Sequence, residues 1–398
     1  MKVTRVIHPI GQGGFYTETL CDNNNDEINV VYDCGGFDKY GEKKMQKYLK
    51  CYLSKSQQKK KIEAIFISHF HADHINGLQH LLENAEVKYL FLPQLTEEVM
   101  MEAIVYNYYA AKQSNSVNNF LMKLYLGEAQ FGPEERPTRI IQVDYSNDSR
   151  VPEEFNGDIF SENGLELRAW NWNQRATIDL STIETLPANT MLHCSKWLYI
   201  PYNSKVIQKK KDDLKKELGD LLGANITVEN LPSLVENRTV KSCKAIYDKV
   251  FGPQQNHTSM TLFSGTSEHI RLSPCKKIHE YYAMHLLCVD FFWYLYCNPN
   301  ILYTGDFEPA DNINDISSFY SRFWKEIGAI QVPHHGSILN YKDELYEHPI
   351  RGIVSVGNEN QYHHPDMETL VKIQEKGCHP VIVTEDKSSM KIYHYEIE

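Results

Sequence analysis

The stretch IFISHFHADHINGL at residues 65–78 dominates the sequence, because a short apolar run there ends abruptly in three histidines and an aspartate. The apolar run predicts a buried strand over Ala64–Ser68, followed by a loop that carries the polar side chains. These side chains are His69, His71, Asp73 and His74. A loop that only hydrogen-bonds its own turn does not need such a density of ligands, whereas divalent metal ions do. Because successive side chains alternate in direction, His69 and His71 should face one side, which leaves Asp73 and His74 for a second ion.

Length, charge and cysteine content limit the class of protein. With 398 residues and 42% hydrophobic content, the chain can bury a sizeable core in one elaborated domain or about two to three smaller ones. A net charge of -11 argues against a broad basic surface that wraps duplex DNA. It does not exclude a nuclease, since divalent ions in a cleft can supply local positive charge. Nine cysteines without a C-x-x-C pair predict neither a disulfide framework nor a zinc ribbon, and they fit a reducing cytoplasm.

No part of the sequence predicts export or insertion into a membrane. The N-terminal MKVTRVIHPIGQGG lacks the continuous apolar core of a signal peptide. The most apolar later stretch, Tyr281–Cys297, is interrupted by His285 and Asp290 and is short for a bilayer span, so it predicts a buried helix. We therefore expect a cytoplasmic protein without a membrane partner.

The first hundred residues alternate strands, glycine turns and helices. The predicted strands are Val3–Pro9, Phe15–Leu20, Ile28–Tyr32 and Val87–Leu92, and the predicted helices are Glu42–Leu53 and Ile75–Asn84. Between Thr96 and about Asn256 the sequence says less about chemistry. Thr96–Ala111 predicts a packing helix rich in Met and Tyr. Lys205–Leu222 predicts a solvated helix with i,i+4 ion pairs, and the alternative is a contact with nucleic acid or a protein partner.

Potential metal ligands return at the ends of later predicted strands. Asp306 follows Ile301–Thr304, His334 and His335 follow Ala329–Val332, and His364 lies beyond Ile353–Val356. A single histidine at a strand end is commonly structural, and we interpret His363 and His379 in that way. The repetition at successive strand ends instead indicates one site, where a carboxylate could bridge two adjacent cations.

The order of six short motifs resembles that of the metallo-β-lactamase fold superfamily. The motifs are GQGG, YDCGG, HFHADHINGL, YTGDFE, PHHGS and SVGNENQYHHP. Within the superfamily, the sequence is most similar to the hydrolase domain of ComEC-type competence proteins and its stand-alone relatives. The resemblance implies an α/β fold, a four-layer αβ/βα sandwich. It also implies a single hydrolase domain over 1–398, with core segments at about 1–95 and 256–398 and a large, mainly helical insertion at about 96–255.

The resemblance also implies roles for individual residues. His69 and His71 would bind one metal, Asp73 and His74 the other, and Asp306 would bridge them. One of His334 and His335 would complete the second site, and His257 falls where the superfamily often has a third histidine for the first. His364 would lie beside the substrate, Asp73 or Asp306 would orient the attacking hydroxide, and Asp33 would support the loop. Two departures from the ComEC-type pattern are Gly14, where an aspartate is usual, and Asn76 in place of glycine.

The expected function is hydrolysis at a dinuclear metal site that activates water. The histidine-rich ligand set favours zinc, and mixed nitrogen and oxygen ligands also suit manganese. The first hypothesis is a phosphodiesterase or nuclease acting on nucleic acid or a nucleotide. One alternative is a hydrolase of a small ester, thioester or lactam, since the fold hosts these activities too. The other is a regulated effector subunit of a larger assembly, with a protein partner bound through residues 96–255.

Overall fold

The computed structural model describes residues 1–37, 43–54, 59–110, 115–134, 136–145, 167–170, 184–188, 190–204, 208–223, 225–236, 240–251, 259–266, 298–310, 312–360 and 363–397. Its strands are β1 Lys2–Ile7, β2 Gln12–Cys21, β3 Glu27–Phe37, β4 Lys61–Phe66, β5 Glu86–Leu92, β6 Arg139–Val143, β7 Arg168–Trp170, β8 Glu184–Leu186, β9 Met191–Cys194, β10 Trp197–Asn203, β11 Met260–Thr266, β12 Ile301–Tyr303, β13 Ala329–Gln331, β14 Arg351–Ser355, β15 His379–Val383 and β16 Lys391–Glu396. Its α-helices are α1 Lys43–Leu53, α2 Ala72–Ile75, α3 Leu78–Asn84, α4 Glu97–Ala110, α5 Asn115–Tyr125, α6 Gln208–Leu222, α7 Leu231–Glu236, α8 Val240–Phe251, α9 Ile313–Phe319 and α10 Met367–Glu375.

The strands form two eight-stranded mixed sheets. The first has the order β16-β1-β2-β3-β4-β5-β6-β8, and the second has the order β15-β14-β13-β12-β11-β10-β9-β7. In the first sheet the pairs from β3 to β8 are parallel, and in the second the pairs from β12 to β15 are parallel. The predicted ligands therefore lie on loops that follow the carboxyl ends of β4, β12 and β13, which are strands in the parallel parts of the two sheets.

Apolar side chains alternate along the strands, and this alternation builds the layers. In β4, Ala64 and Phe66 enter a central core shared with strands of the second sheet, such as β12. Ile62 and Ile65 point to the other face, where the helices α1 and α3 to α8 pack. The outer face of the second sheet is covered by α9 and α10 in the same way. The result is the predicted α/β sandwich of four layers, with helices outside two facing sheets.

A buried polar network joins the two sheets across the central core. Arg5 of β1 donates from Nε to Glu18 Oε1 on β2 at 2.7 Å, and both side chains are almost fully buried. From the second sheet, Glu18 accepts hydrogen bonds from Trp197 Nε1 at 3.2 Å and from the hydroxyl of Ser264 at 2.6 Å. The tyrosine hydroxyls of Tyr199 and Tyr303 donate to it as well, each at 3.0 Å. Every contact crosses between sheets or strands, so this one carboxylate fixes their relative position.

The structure departs from the sequence expectations in two places. The helix expected over Ile75–Asn84 is divided into α2 and α3, because Asn76 bonds the backbone of Gly36 and Gly77 donates its N–H to Cys34 O at 2.8 Å. Within residues 96–255, helices dominate as expected, but β6 to β10 are built into the two sheets. The proposed boundaries of the core segments stay a prediction. Tyr281–Cys297 lies outside the described residues, and among those described no helix is long and apolar enough to cross a bilayer.

Candidate metal centre

The predicted ligands meet at one buried site between the carboxyl ends of the sheets. Within the described residues, two groups of side chains place their ligand atoms within 4.8 Å of one another. One group is His69, His74 and Asp306, and the other is Asp73, His74 and His335. The loop 67–77, called the metal loop here, supplies the residues of the first sheet, and its Ser68 carbonyl accepts a hydrogen bond from Met260 N of the second sheet at 2.7 Å. This bond anchors the metal loop to the opposite sheet.

Asp306 belongs to the first group, which shares His74 with the second, and it faces the surrounding imidazoles with different oxygens. Its Oδ2 is 3.6 Å from His69 Nε2, whereas its Oδ1 is 3.2 Å from His74 Nε2 and 3.5 Å from His335 Nε2. The turn before it is held by Gln331 Oε1, which accepts from Gly305 N at 3.0 Å. Burial alone would raise the pKa of Asp306, but neighbouring imidazoles, above all His74, outweigh this effect and lower the pKa well below its ordinary value. Asp306 is thus an ionised carboxylate with imidazoles facing both of its oxygens.

The orientation of His69 and His74 is set by groups behind them. Asp33 Oδ2 lies 2.7 Å from His74 Nδ1, which places the proton of a neutral His74 on Nδ1 and turns Nε2 toward the site. Asp33 is itself held by the backbone N–H of Ser68 at 2.7 Å and by the Ser68 hydroxyl at 2.8 Å. The same hydroxyl lies 2.9 Å from His69 Nδ1. Burial, together with the nearby His74, holds the pKa of His69 well below its ordinary value, so its imidazole is neutral.

The two histidines of PHHGS face different partners. Nε2 of His335 is 3.4 Å from Asp73 Oδ2, and its Nδ1 lies 2.8 Å from the Ser355 carbonyl, which accepts the proton of that nitrogen. His334 Nε2 reaches only to 4.0 Å from Asp306 Oδ2, while its Nδ1 bonds Asn340 Oδ1 at 3.0 Å. Both residues have positive φ angles, 47° and 55°, so the backbone coils tightly and directs consecutive side chains apart. His335 therefore belongs to a ligand group and His334 lies beside it.

His71 and His364 stand at the edge of the two groups. The His71 ring is 4.5 Å from that of His69, but its Nε2 is bonded to Glu102 Oε1 at 2.8 Å, so the structure groups His69 with His74 and Asp306 instead. The His364 ring lies 5.6 Å from that of His334. Burial, followed by the nearby His334 and His335, lowers the pKa of His364 to about 4, which leaves it neutral at neutral pH. His257 lies outside the described residues.

Sequence reasoning missed the part that α4 plays in the site. Glu102 accepts a hydrogen bond from His71, and Asn107 bonds the metal loop backbone at Ala72 N, 2.7 Å, and Phe70 O, 2.9 Å. We interpreted this helix from its Met and Tyr content as packing alone. The available signal was Glu102 itself, because an acidic side chain inside an apolar stripe needs a partner when it is buried.

The residues present fit divalent metal ions. Among the described residues, buried ligand atoms without a hydrogen bond cluster at this point, and they include His69 Nε2, His71 Nδ1, Asp73 Oδ1, His74 Nε2 and His335 Nε2. Buried polar atoms are normally paired, so a cluster of them at one point needs an explanation. Neutral imidazoles and carboxylates are the donors that zinc and manganese accept, and their other polar atoms are already held by Asp33, Ser68, Ser355 and Glu102.

Part of the chain matches a known protein family. Residues 22–146 match the family model described as the Metallo-beta-lactamase superfamily. Among solved structures, the chain is similar to the metallo-beta-lactamase fold protein YhfI from Bacillus subtilis, at 10% identity and a TM-score of 0.36 over 99% of each chain. It is similar to unliganded yeast PDE1 at 10% identity and a TM-score of 0.37 over 100% of each chain. A long form RNase Z from yeast shares 10% identity at a TM-score of 0.30, over 96% of this chain and 37% of that one.

These TM-scores are too low to bear on the substrate. No curated protein sequence matches the chain. The family match spans β3 to β6 and includes the whole metal loop. Residues 22–146 are thus similar to the metallo-β-lactamase superfamily, and the two facing sheets with outer helices are consistent with the sandwich fold of that superfamily.

Proposed function

We propose that the protein is a metal-dependent hydrolase that holds two divalent cations and cleaves phosphodiesters of nucleic acid or nucleotides. The observation that carries the proposal is the position of Asp306, whose two carboxylate oxygens face His69 on one side and His74 and His335 on the other. A carboxylate in that position suits a bridge between neighbouring cations.

The proposal includes two ligand sets. His69 and His71 would hold the first ion with Asp306, and Asp73, His74 and His335 would hold the second with the same bridge. The imidazole-rich first set favours zinc, and the carboxylates of the second also suit manganese. Bound there, the cations would polarise a substrate oxygen and lower the pKa of water toward neutrality. The similarity of PHHGS and the late H-P motif to ComEC-type hydrolase domains supports the same class of reaction.

The choice of phosphodiesters rests on two imidazoles outside the ligand sets. His334 donates from Nδ1 to Asn340 Oδ1, because the amide nitrogen of Asn340 already donates to Phe307 O and Glu308 Oε2. Its Nε2 is then left as an acceptor on the side of Asp306. His364 is neutral and can donate an N–H to a phosphoryl oxygen, and Asp73 can orient the attacking water. The several oxygens of a phosphodiester suit two cations and the N–H of His364, and a hydroxyl of a nucleotide can donate to His334 Nε2, whereas a lactam or ester presents one carbonyl.

Substrate turnover tests the proposal. Protein loaded with zinc or manganese would be incubated with bis-p-nitrophenyl phosphate, single- and double-stranded DNA, RNA and a panel of lactones and thioesters. We expect turnover of phosphodiesters and about two metal ions per chain by elemental analysis. Turnover confined to carbon esters would replace the proposal with the small-ester hydrolase. Asp306→Ala is the control: because it removes the proposed bridge, it should lose at least one ion and, with it, all turnover.

A further inference from the structure

Helices α4 and α8 reach the candidate metal centre through one carboxylate. Glu102 of α4 is 6% exposed, and its Oε1 lies 2.8 Å from His71 Nε2. The hydroxyl of Tyr247, on α8, donates to the same oxygen. A buried carboxylate that accepts two hydrogen bonds is held firmly. Glu102 thus links His71 of the metal loop to α8, which begins at Val240, 169 residues later in the chain.

The contact defines which nitrogen of His71 faces the site. An ionised carboxylate only accepts hydrogen bonds, so the proton of a neutral His71 lies on Nε2 and the lone pair lies on Nδ1. Nδ1 is buried and makes no hydrogen bond. The ring cannot turn freely, because Tyr106 stacks on it at 3.5 Å between centroids and 9° between planes. Nδ1 is therefore presented as a ligand atom next to the His69 ring.

The backbone that carries His71 is held by the same helix. Asn107 accepts a hydrogen bond from Ala72 N at 2.7 Å and donates one to Phe70 O at 2.9 Å, so it brackets His71 on both sides along the chain. On the other side of the carboxylate, Tyr247 packs against Tyr106 at 5.6 Å between ring centroids. The position of α8 against α4 thereby controls both the acceptor and the aromatic wall of His71.

We propose that Glu102 is a positioning residue of the metal centre, supported by Tyr247, so that metal affinity at the His71 site depends on the docking of α8 against α4. The inference rests on the proposed function only in taking His71 as a ligand. Residues 97–110 and 240–251 then form part of the metal centre.

The test compares metal affinity in Glu102→Gln, Glu102→Ala and Tyr247→Phe with the wild-type protein. Zinc affinity is measured by competition with a chromophoric chelator, and the visible spectrum of the cobalt form reports the geometry of the site. We expect Glu102→Ala to weaken one bound ion by about 10- to 100-fold, with smaller losses in Glu102→Gln and Tyr247→Phe. Glu98→Gln, which removes the same charge one turn away on α4, should leave affinity unchanged.

A second readout separates positioning from a general loss of stability. In metal-free protein labelled with nitrogen-15 at histidine, the His71 ring should show its proton on Nε2, and Glu102→Ala should populate the other tautomer. Unchanged affinity and an unchanged tautomer in folded Glu102→Gln and Tyr247→Phe would overturn the inference. A wild-type protein that binds no metal would overturn it together with the proposed function. Variant-dependent affinity without phosphodiester turnover would instead reject the proposed substrate alone.

Discussion

His334 and His335 show how two adjacent, identical side chains acquire different tasks. His335 Nε2 lies within 3.5 Å of both Asp73 and Asp306, whereas His334 is turned toward Asn340. Each ring has one nitrogen held from behind, His334 Nδ1 by Asn340 Oδ1 and His335 Nδ1 by the Ser355 carbonyl.

Replacing each of the two by alanine should separate ligand from substrate contact. We expect His335→Ala to lose one of about two ions and nearly all activity, because it removes a ligand atom from the second group. His334→Ala should retain both ions and lose activity by about 10²-fold through a lost contact near the reacting group. Elemental analysis and turnover of bis-p-nitrophenyl phosphate provide the measurements. Equal and mild effects would show that PHHGS does not bear the assigned roles.

The low pKa of His364 predicts that this residue donates a hydrogen bond to the substrate and does not protonate the leaving group. A pKa of about 4 leaves its imidazole neutral, so it can donate a hydrogen bond to a phosphoryl oxygen more readily than it can supply a proton to a leaving group. His364→Ala should keep its metal and lower kcat by about 10²- to 10³-fold. The loss should be similar for p-nitrophenyl and alkyl leaving groups, since the hydrogen bond does not depend on the leaving group.

The exposed neighbour His363 is the matched control for this variant, and His363→Ala should retain activity. A deficit confined to poor leaving groups would instead identify His364 as a general acid. Loss of a metal ion in His364→Ala would make it a ligand, contrary to the assignment.

At Gly14, strand β2 packs so closely against Asp33 and His74 that a residue with a side chain would not fit there. A Cβ atom on Gly14 would lie 2.9 Å from Asp33 Oδ2 and 3.2 Å from His74 Nδ1, the two atoms whose hydrogen bond orients His74. The ComEC-type pattern has aspartate at this position. In this chain, the side chain of Asp33 occupies the space that a larger residue would need.

Gly14→Ala should therefore weaken the second metal ion and destabilise the fold by about 1–3 kcal/mol, because overpacking displaces Asp33 from His74. Gly219→Ala provides the contrast: this glycine lies within α6 and a Cβ there meets nothing within 4 Å. It should stabilise the protein by about 0.5–1 kcal/mol without any change in metal content. Urea unfolding and zinc titration measure both effects. A Gly14→Ala protein with unchanged zinc affinity would mean that Asp33 can shift without consequence.

At the centre of the molecule, Glu18 pairs with Arg5 within the first sheet and accepts hydrogen bonds from the second sheet, so the two sheets are joined through one ionised carboxylate as well as by apolar contacts. Burial would raise the pKa of Glu18, but the charge of Arg5 and the surrounding donors outweigh it and lower the pKa below the ordinary value of 4.5. A carboxyl with a depressed folded pKa stabilises the fold above its unfolded pKa, and this contribution is lost as the pH falls through the folded value.

Glu18→Gln should cost about 3–5 kcal/mol at pH 7, since it leaves the Arg5 charge buried without its partner. The difference from wild type should shrink as the pH falls below about 4.5, because Glu18 takes up a proton there in the unfolded chain while the folded Glu18, with its lowered pKa, stays ionised. Denaturant unfolding at pH 7 and pH 4 tests both statements. Glu86→Gln removes an exposed carboxylate from the neighbouring part of the first sheet and should change stability by less than about 0.5 kcal/mol. A pH-independent penalty would show that the charge of Glu18 does not contribute to the stability of this core.

Features that depend on neighbours in the chain were readable from the sequence. The run Ala64–Ser68, the ligand cluster His69–His74 and the strands before Asp306 and His335 rest on local periodicity and on residue types, and β4, β12 and β13 lie close to the predicted bounds. The helix expected at Lys205–Leu222 is α6, and two of its charged residues join other helices: Lys215 pairs with Glu97, and Glu217 with Lys249. Parallel strands end at a common edge, so the convergence of their ligands could also be inferred.

Contacts between distant segments could not be read in this way. His335, and not His334, joins a ligand group because both residues have left-handed backbone angles, and two adjacent histidines in a sequence do not indicate such angles. The bond from His71 to Glu102 and the support from Tyr247 span 31 and 145 residues, and they exist only because α4 and α8 pack over the metal loop. Residue type and periodicity identify which side chains can bind a metal. Their tautomers and directions arise from long-range packing, since each imidazole is oriented by a partner elsewhere in the fold.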